Sequence, residues 1–393
     1  MIRRRPYRTA RARQTPWRRA RLPVAGLALG LSAFIVFGGG KPTPGAQAKA
    51  TFTSLPARSH PRHVAIPATP APAALQQTLD RLAAAYGEPV GVAVAEVDKG
   101  WVASVDGDAM FPQQSVSKLW VAVTALDAID HGRLSLDRGV MLWPEDRSVF
   151  FQPISGNIGP SGYATTIEDL LHRALIQSDN AANDKLMGEA GGSAAVMATL
   201  REKGIEGVRL GADERRMQAQ TAGLVWTPAL GESGAFETAR AQLPRDVRDA
   251  AMQAYLQNPL DGATPIGTVQ ALAAIKRGEV LSPASTAFLL ETMSKARTGP
   301  RRLKGGLAPG WTIAHKTGTG QDYRGASVGI NDVGLLTAPD GRTYAVAVFL
   351  RQTRQATPAR LALMQAVSRA VIDTWRDDAA RPQMAALDTN ATD

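Results

Sequence analysis

Cysteine is absent from the 393-residue chain. That excludes a disulfide, thiolate metal ligation, a cysteine nucleophile and a lipid anchor carried on cysteine. Stability must come from core packing, which a chain of this length permits. Histidine is scarce, with five residues in all. His60-x-x-His63 falls in a Pro- and Ala-rich stretch, and His131, His172 and His315 are scattered. They make no metal constellation, zinc-dependent chemistry has no ligand set, and no cofactor is expected. Acidic residues are missing before Asp80, whereas 13 of the 45 basic residues lie in 1–62, nine of them Arg within 1–21. All 35 acidic residues belong to the remainder, so the net charge of +10 resides in the N-terminal segment. The rest of the chain has no basic excess to offer a phosphate backbone, which argues against nucleic acid as a partner.

A comfortable membrane span is also lacking. The apolar stretch LPVAGLALGLSAFIVFG, Leu22 to Gly38, is short and interrupted by Pro23 and glycines. Arginines, then an apolar run, then small residues with Ala46-Gln47-Ala48 read as a secretory signal over 1–48. Cleavage near Ala48 and retention as an N-terminal membrane anchor both remain open. Arg18-Arg19 leaves a twin-arginine route open as well. Residues 49–73, rich in Pro, Ala, Ser and Thr, read as a flexible linker. A periplasmic or secreted protein is the expectation.

The body is expected over 74–377. LQQTLDRLAAAYG reads as an amphipathic helix closed by Gly87, followed by a hairpin of PVGVAVAEV and WVASVD. VSKLWVAVTALDAI is too apolar for a surface helix. Thr165-x-x-Glu168 has capping-box spacing ahead of TIEDLLHRALIQ, and further helices follow to Gly204. Residues 219–262 read as a loop with one helix near LPRDVRDAAMQAYL. Two helices come next, then the strands WTIAHKTG, ASVGINDVGLLT and YAVAVFL, a closing helix ending near Trp375, and a disordered tail over 378–393. Strands at both ends with helices between predict an α/β fold of α+β sandwich type. Its antiparallel sheet is built from N- and C-terminal segments and flanked by helices, with a mainly helical middle subdomain.

Three motifs carry chemistry, in chain order. Ser115-x-x-Lys118 sits at a helix start, Ser178-Asp179-Asn180 follows a helix, and Lys316-Thr317-Gly318 lies on a strand. Ser-x-x-Lys alone is common, but the ordered set is not. A serine hydroxyl needs a base within reach, and residues three apart on a helix share a face. Ser115 would attack a carbonyl, with neutral Lys118 taking its proton if a second cation such as Lys316 depresses the lysine pKa. Ser178 can relay a proton to a leaving nitrogen, Asn180 can hold a substrate amide, and two backbone N–H groups can form an oxyanion hole.

This motif set resembles that of the serine β-lactamases and penicillin-recognising D,D-peptidases. The likeness runs from about Ala74 to Trp375, and class A β-lactamases fit best through FPQQSVSKLWVAV, the SDN triplet, TPIGTVQALAAIKRGEVLS and NDVGLLTAPDGRTYAVAVF. The resemblance implies that Ser115 is acylated, Lys118 is its general-base candidate and Ser178 the proton shuttle. It implies that Lys316 and Thr317, with Gly318 completing the motif, bind the substrate carboxylate. The oxyanion hole would use the N–H groups of Ser115 and Thr319. Arg209-Leu210-Gly211-Ala212-Asp213-Glu214-Arg215-Arg216-Met217-Gln218 matches the family's omega-loop pattern in register. Glu214 is then the base for the deacylating water, and Met217-Gln218 stand where the family carries Leu-Asn. The segment behind Gln218 is longer than the family's usual loop, an insertion around 219–262. Gln114 occupies the position of the cysteine in the disulfide-bearing carbapenemase branch.

The implied partner is a β-lactam or a peptidoglycan stem peptide, and a monomer is expected. A D,D-peptidase of cell-wall metabolism and a non-catalytic penicillin sensor remain alternatives to the lactamase. Plainer readings stand beside several residues. Glu214 would be a solvated loop glutamate, Arg324 an exposed arginine rather than a carboxylate ligand, and Phe150 and Phe151 simple packing rather than cleft walls.

Overall fold

A computed structural model describes residues 69–390. The expected leader over 1–48 and most of the linker over 49–73 lie outside the described residues. The body opens with α1 (Ala73–Tyr86), which Gly87 closes at φ 73° in the left-handed conformation. That geometry costs glycine no Cβ clash. β1 (Val90–Glu96) and β2 (Val102–Val105) form the expected hairpin. The helical middle comprises α2 (Lys118–Asp130), α3 (Ile167–His172), α4 (Asn180–Glu189), α5 (Gly192–Glu202), α6 (Glu214–Thr221), α7 (Ala235–Gln242), α8 (Arg245–Gln257), α9 (Pro265–Lys276) and α10 (Pro283–Ser294). The chain returns to the sheet through β3 (Thr312–Gly318), β4 (Ala326–Thr337) and β5 (Thr343–Thr353), and ends in α11 (Thr357–Asn390).

The sheet is antiparallel in the order β2-β1-β5-β4-β3, with a short strand at Asp322–Tyr323 added to β4. β1 from the N-terminal side thus pairs with β5, Val90 facing Leu350 and Glu96 facing Tyr344. The strands are covered on both faces, and their alternation sorts the side chains between two cores. Val92, Val94, Val346 and Val348 pack with Leu75 and Leu79 of α1 and Met364, Val367 and Val371 of α11. Ala93, Ala95, Ala345 and Ala347 face the other way, toward α2 and α9. Small residues on that face let the helical middle approach the sheet closely. From Lys118 to Ala128 every residue of α2 is buried, which is why its sequence shows no polar face.

Three expectations are corrected. The cap of α3 falls one residue later than the Thr165/Glu168 spacing suggests: Thr166 Oγ1 accepts from the Asp169 amide at 3.3 Å. Glu168 instead donates its amide to Leu136 O. The insertion around 219–262 holds two helices, α7 and α8, and α6 already overlaps its start. α7 escapes pattern reading because Phe236 is its one buried residue. Residues 378–390, expected in a disordered tail, continue α11. Asp378 is held by Arg342 Nη1 at 2.8 Å and by Lys99, so the helix is still docked where the tail was expected to begin. The following residues, apart from Pro382, are mostly helix-tolerant.

Candidate active site

Ser115 lies in a 3-10 turn, Gln114–Ser117, that feeds directly into α2. Gln114 before it has φ 53°, a left-handed conformation, and its amide donates to Asp261 Oδ2 at 2.6 Å. The turn aims the half-buried Ser115 into the cleft, while Lys118, the first residue of α2, is fully buried beneath it. Lys118 Nζ donates to Ser115 Oγ at 2.7 Å and to Glu214 Oε2 at 3.0 Å. The sequence separates Glu214 from Ser115 by about a hundred residues, yet one ammonium group bridges them. Glu214 is 5% exposed, so the solvated-loop reading does not hold.

Glu214 begins α6, whose cap is Asp213, accepting from the Arg216 amide at 3.0 Å. Asp184 of α4 holds the loop from beneath. It accepts the amides of Glu214 at 2.8 Å and Arg215 at 3.1 Å, and the Ser148 hydroxyl at 2.7 Å. Burial, with Asp213 and Glu214 nearby, pushes the Asp184 carboxyl up to about 7. Met217 is buried among Met252, Tyr255 and Val328. Gln218, one turn along α6, donates to Glu214 Oε1 at 2.8 Å and to Gln114 Oε1 at 2.7 Å. It accepts from Gln321 Nε2 at 2.8 Å. The insertion completes this network: Gln114 Nε2 donates to the Tyr255 hydroxyl at 2.5 Å, and that hydroxyl donates to Asp261 Oδ1 at 2.8 Å. Burial raises both the Tyr255 hydroxyl and the Asp261 carboxyl, the latter to about 7.

The second motif follows a widened turn. After α3 the chain makes one π-helical turn, Arg173–Gln177, and Ser178 exits it at φ 66°. Such turns recur at functional positions because they displace a side chain from the helical path. Ser178 Oγ accepts from Lys316 Nζ at 2.9 Å. Asp179 is structural: it caps α4, accepting from the Ala182 amide at 3.0 Å and the Ile154 amide at 2.6 Å. Asn180 opens α4 with its amide donating to Val149 O at 2.8 Å, and its side chain lines the cleft.

Lys316, Thr317 and Gly318 end β3 on the opposite wall. Lys316 is fully buried, and burial beside Lys118 holds its ammonium well below the ordinary lysine range. Thr317 Oγ1 donates to Thr298 Oγ1 at 2.7 Å. Gly318 is required by close approach, since a Cβ there would lie 2.3 Å from Gln113 O. Thr319 follows at the exposed end of the strand. The cleft is a cavity of about 530 Å³ whose lining includes Ser115, Ser178, Asn180, Glu214, Thr317 and Thr319. The three motifs, Glu214 and Gln218 are thus brought together.

Several residues emerge from the structure alone. Arg302 donates to Gly318 O at 2.8 Å, Asn331 O at 2.6 Å and Thr319 Oγ1 at 2.6 Å, placing a guanidinium at the strand motif. Arg324, the arginine that the sequence offered there, is exposed and pairs with Asp249 at 3.0 Å. Asp184, Tyr255 and Asp261 join the site in the same way. Phe150 and Phe151 are exposed by 41% and 58% and line the cleft, Phe150 meeting Phe236 of α7 edge-on at 5.0 Å.

A serine between two buried lysines, on the first turn of a helix packed behind an antiparallel sheet from both chain ends, defines a protein of the serine β-lactamase and transpeptidase class. The comparisons narrow this. The chain belongs to the β-lactamase enzyme family, whose sequence model matches residues 74–375, and within it to the class A type. It is 28% identical over 298 residues to the extended-spectrum β-lactamase PER-1 of Pseudomonas aeruginosa, covering 75% of this chain and 85% of that one. It is 27% identical over 267 residues to β-lactamase VEB-1 of the same organism, covering 68% and 78%. Among solved structures, a β-lactamase from Chitinophaga pinensis DSM 2588 superposes with a TM-score of 0.63 at 29% identity, covering 76% of this chain and 98% of that chain. An ancestral class A β-lactamase does so at 0.59 and 30%, covering 76% and 99%.

Proposed function

We propose that this protein hydrolyses β-lactams through an acyl-enzyme on Ser115, released by water that Glu214 activates. The observation that carries the reading is the shared ammonium: Lys118 Nζ touches both Ser115 Oγ and Glu214 Oε2. In acylation Ser115 Oγ attacks the lactam carbonyl carbon and its proton passes to Lys118 in the neutral form, Glu214 remaining a carboxylate. The ring C–N bond breaks, and the nitrogen takes a proton from Ser178, which is replenished through Lys316 by the proton that Lys118 took from Ser115. The N–H groups of Ser115 and Thr319 would stabilise the oxyanion. Lys316, Thr317 and the Arg302 charge behind them suit the substrate carboxylate, and Asn180 suits its amide. In deacylation Glu214 takes a proton from water, the hydroxide attacks the ester carbonyl, and Ser115 Oγ leaves as an alkoxide that recovers a proton from Glu214 through Lys118. A periplasmic or secreted location is part of the proposal and rests on the N-terminal sequence alone.

Intact-mass measurement of the protein after mixing with a chromogenic cephalosporin, alongside turnover, tests this. Rapid turnover without a lasting adduct is the expected result. A persistent adduct on Ser115 would favour a D,D-peptidase or a sensor, and neither adduct nor turnover would overturn the reading.

A further inference from the structure

Beside the serine cleft, a second cavity of about 450 Å³ is lined by Arg240, Arg245, Arg248, Asp322, Tyr323 and Arg324. Arg240 and Asp322 also line the cleft itself, so the two spaces share a wall. Three of the four arginines come from α7 and α8 of the insertion. Their charge is not fully neutralised. Asp249 takes Arg324 at 3.0 Å and Arg245 at 4.0 Å, and also the Tyr323 hydroxyl. Asp322 accepts from Ser327 Oγ at 2.5 Å. Arg240 donates to a neutral group, Gln321 Oε1, at 2.7 Å. The Arg248 side chain donates no hydrogen bond among the described residues, and its Nε is buried without a partner. A guanidinium left in this state is a fork of donors suited to a planar anion.

The location says which anion. Gln321 links Arg240 to Gln218, so the arginine cavity continues the wall that carries the Glu214 machinery. Lys316 and Thr317, at the end of β3 a few residues before Gln321, and Arg302, bonded to Gly318 O and Thr319 Oγ1, are the groups suited to the ring carboxylate. A substrate held by its ring carboxylate there would extend its acylamino substituent toward Arg240 and beyond. We propose that the insertion builds a second anion site, centred on Arg248 and Arg240, that binds a carboxylate on the acylamino substituent of the substrate. The inference rests on the β-lactam reading and adds a substrate preference to it.

The test uses a matched pair of cephalosporins, one with a glutaryl side chain and one with the same side chain as its methyl ester. The unmodified protein should hydrolyse the acid with a kcat/KM about tenfold above the ester, the size expected of one charge-assisted contact. Arg248→Gln should bring the ratio close to unity through KM, Arg248→Lys should keep most of it, and high salt should reduce it. Circular dichroism of the variants reports their fold. Equal kcat/KM for acid and ester in the unmodified protein would overturn the anion site while leaving β-lactam hydrolysis standing. A preference that survives Arg248→Gln in a folded variant would overturn it too. Hydrolysis of neither compound would remove both readings.

Discussion

Gln218 Nε2 lies 2.8 Å from Glu214 Oε1 and donates to it. Its other N–H is spent on Gln114, and its oxygen accepts from Gln321, so the amide is locked on three sides. Gln218→Ala should leave acylation of Ser115 in place and slow deacylation by roughly 10- to 100-fold, the effect of losing a hydrogen bond to a charged group. Rapid-quench mass measurement of the acylated fraction reads this; an unchanged steady-state fraction would count against it.

Glu214→Gln removes the base and keeps the shape. Acylation should proceed, while deacylation falls by roughly 10²- to 10⁴-fold, the contribution of a general base. The adduct should then accumulate on Ser115 and be located by peptide mapping. Turnover at the original rate would show that another group activates the water.

Asp184 links stability to pH. Its carboxyl ordinarily titrates at 3.8 and is raised to about 7 here, chiefly by burial. Between these values the folded protein holds a proton that the unfolded chain has released. Stability from this group is therefore greatest below about pH 4 and falls as pH climbs toward 7. Asp184→Asn does not titrate; its single oxygen can keep the bond from the Glu214 amide and its NH2 can donate to Ser148, while the bond from the Arg215 amide is lost. Urea denaturation at several pH values should show a flatter decline for the variant, the raised carboxyls of Asp261, Asp179 and Glu96 supplying slope that remains. Identical slopes for both proteins would rule the assignment out.

Tyr255→Phe separates the insertion from the nucleophile turn. It strands Asp261 Oδ1 and Gln114 Nε2, both buried, and should cost about 1–3 kcal/mol in urea denaturation. If stability were unchanged, the Asp261–Tyr255–Gln114 chain would not be holding the turn.

Much of the site was legible because its chemistry is written in local triplets. Ser115 and Lys118 share a helical turn, and Ser178 and Lys316 sit in short motifs whose order is itself informative. Glu214 was readable only by register against a family pattern, since nothing near it in sequence says that it is buried. Arg302 was not readable: its donors go to backbone carbonyls of Gly318 and Asn331, and any residue type supplies those. Tyr255 and Asp184 stayed hidden for a related reason, as each bonds to groups that no periodicity marks. Asp184 did leave a trace, an acid one turn after Asn180 in a helix whose early residues are otherwise small or amide. The sheet was legible in its long alternating strands, whereas α7, with one buried residue, and the docked end of α11 depended on tertiary contacts.

The pairing of Val90 with Leu350 carries a consequence for synthesis. As the chain leaves the ribosome, the hairpin β1-β2 emerges early, with no partner for the free edge of β1. Its partner strand is made only after the whole helical middle and β3 and β4. The nascent protein therefore spends most of its translation with an unpaired apolar strand edge exposed, and the sheet closes late through contacts of very long range. A ribosome stalled before residue 343 should carry a chain that is sensitive to protease throughout, and one stalled well past 353 a chain whose first hairpin is protected.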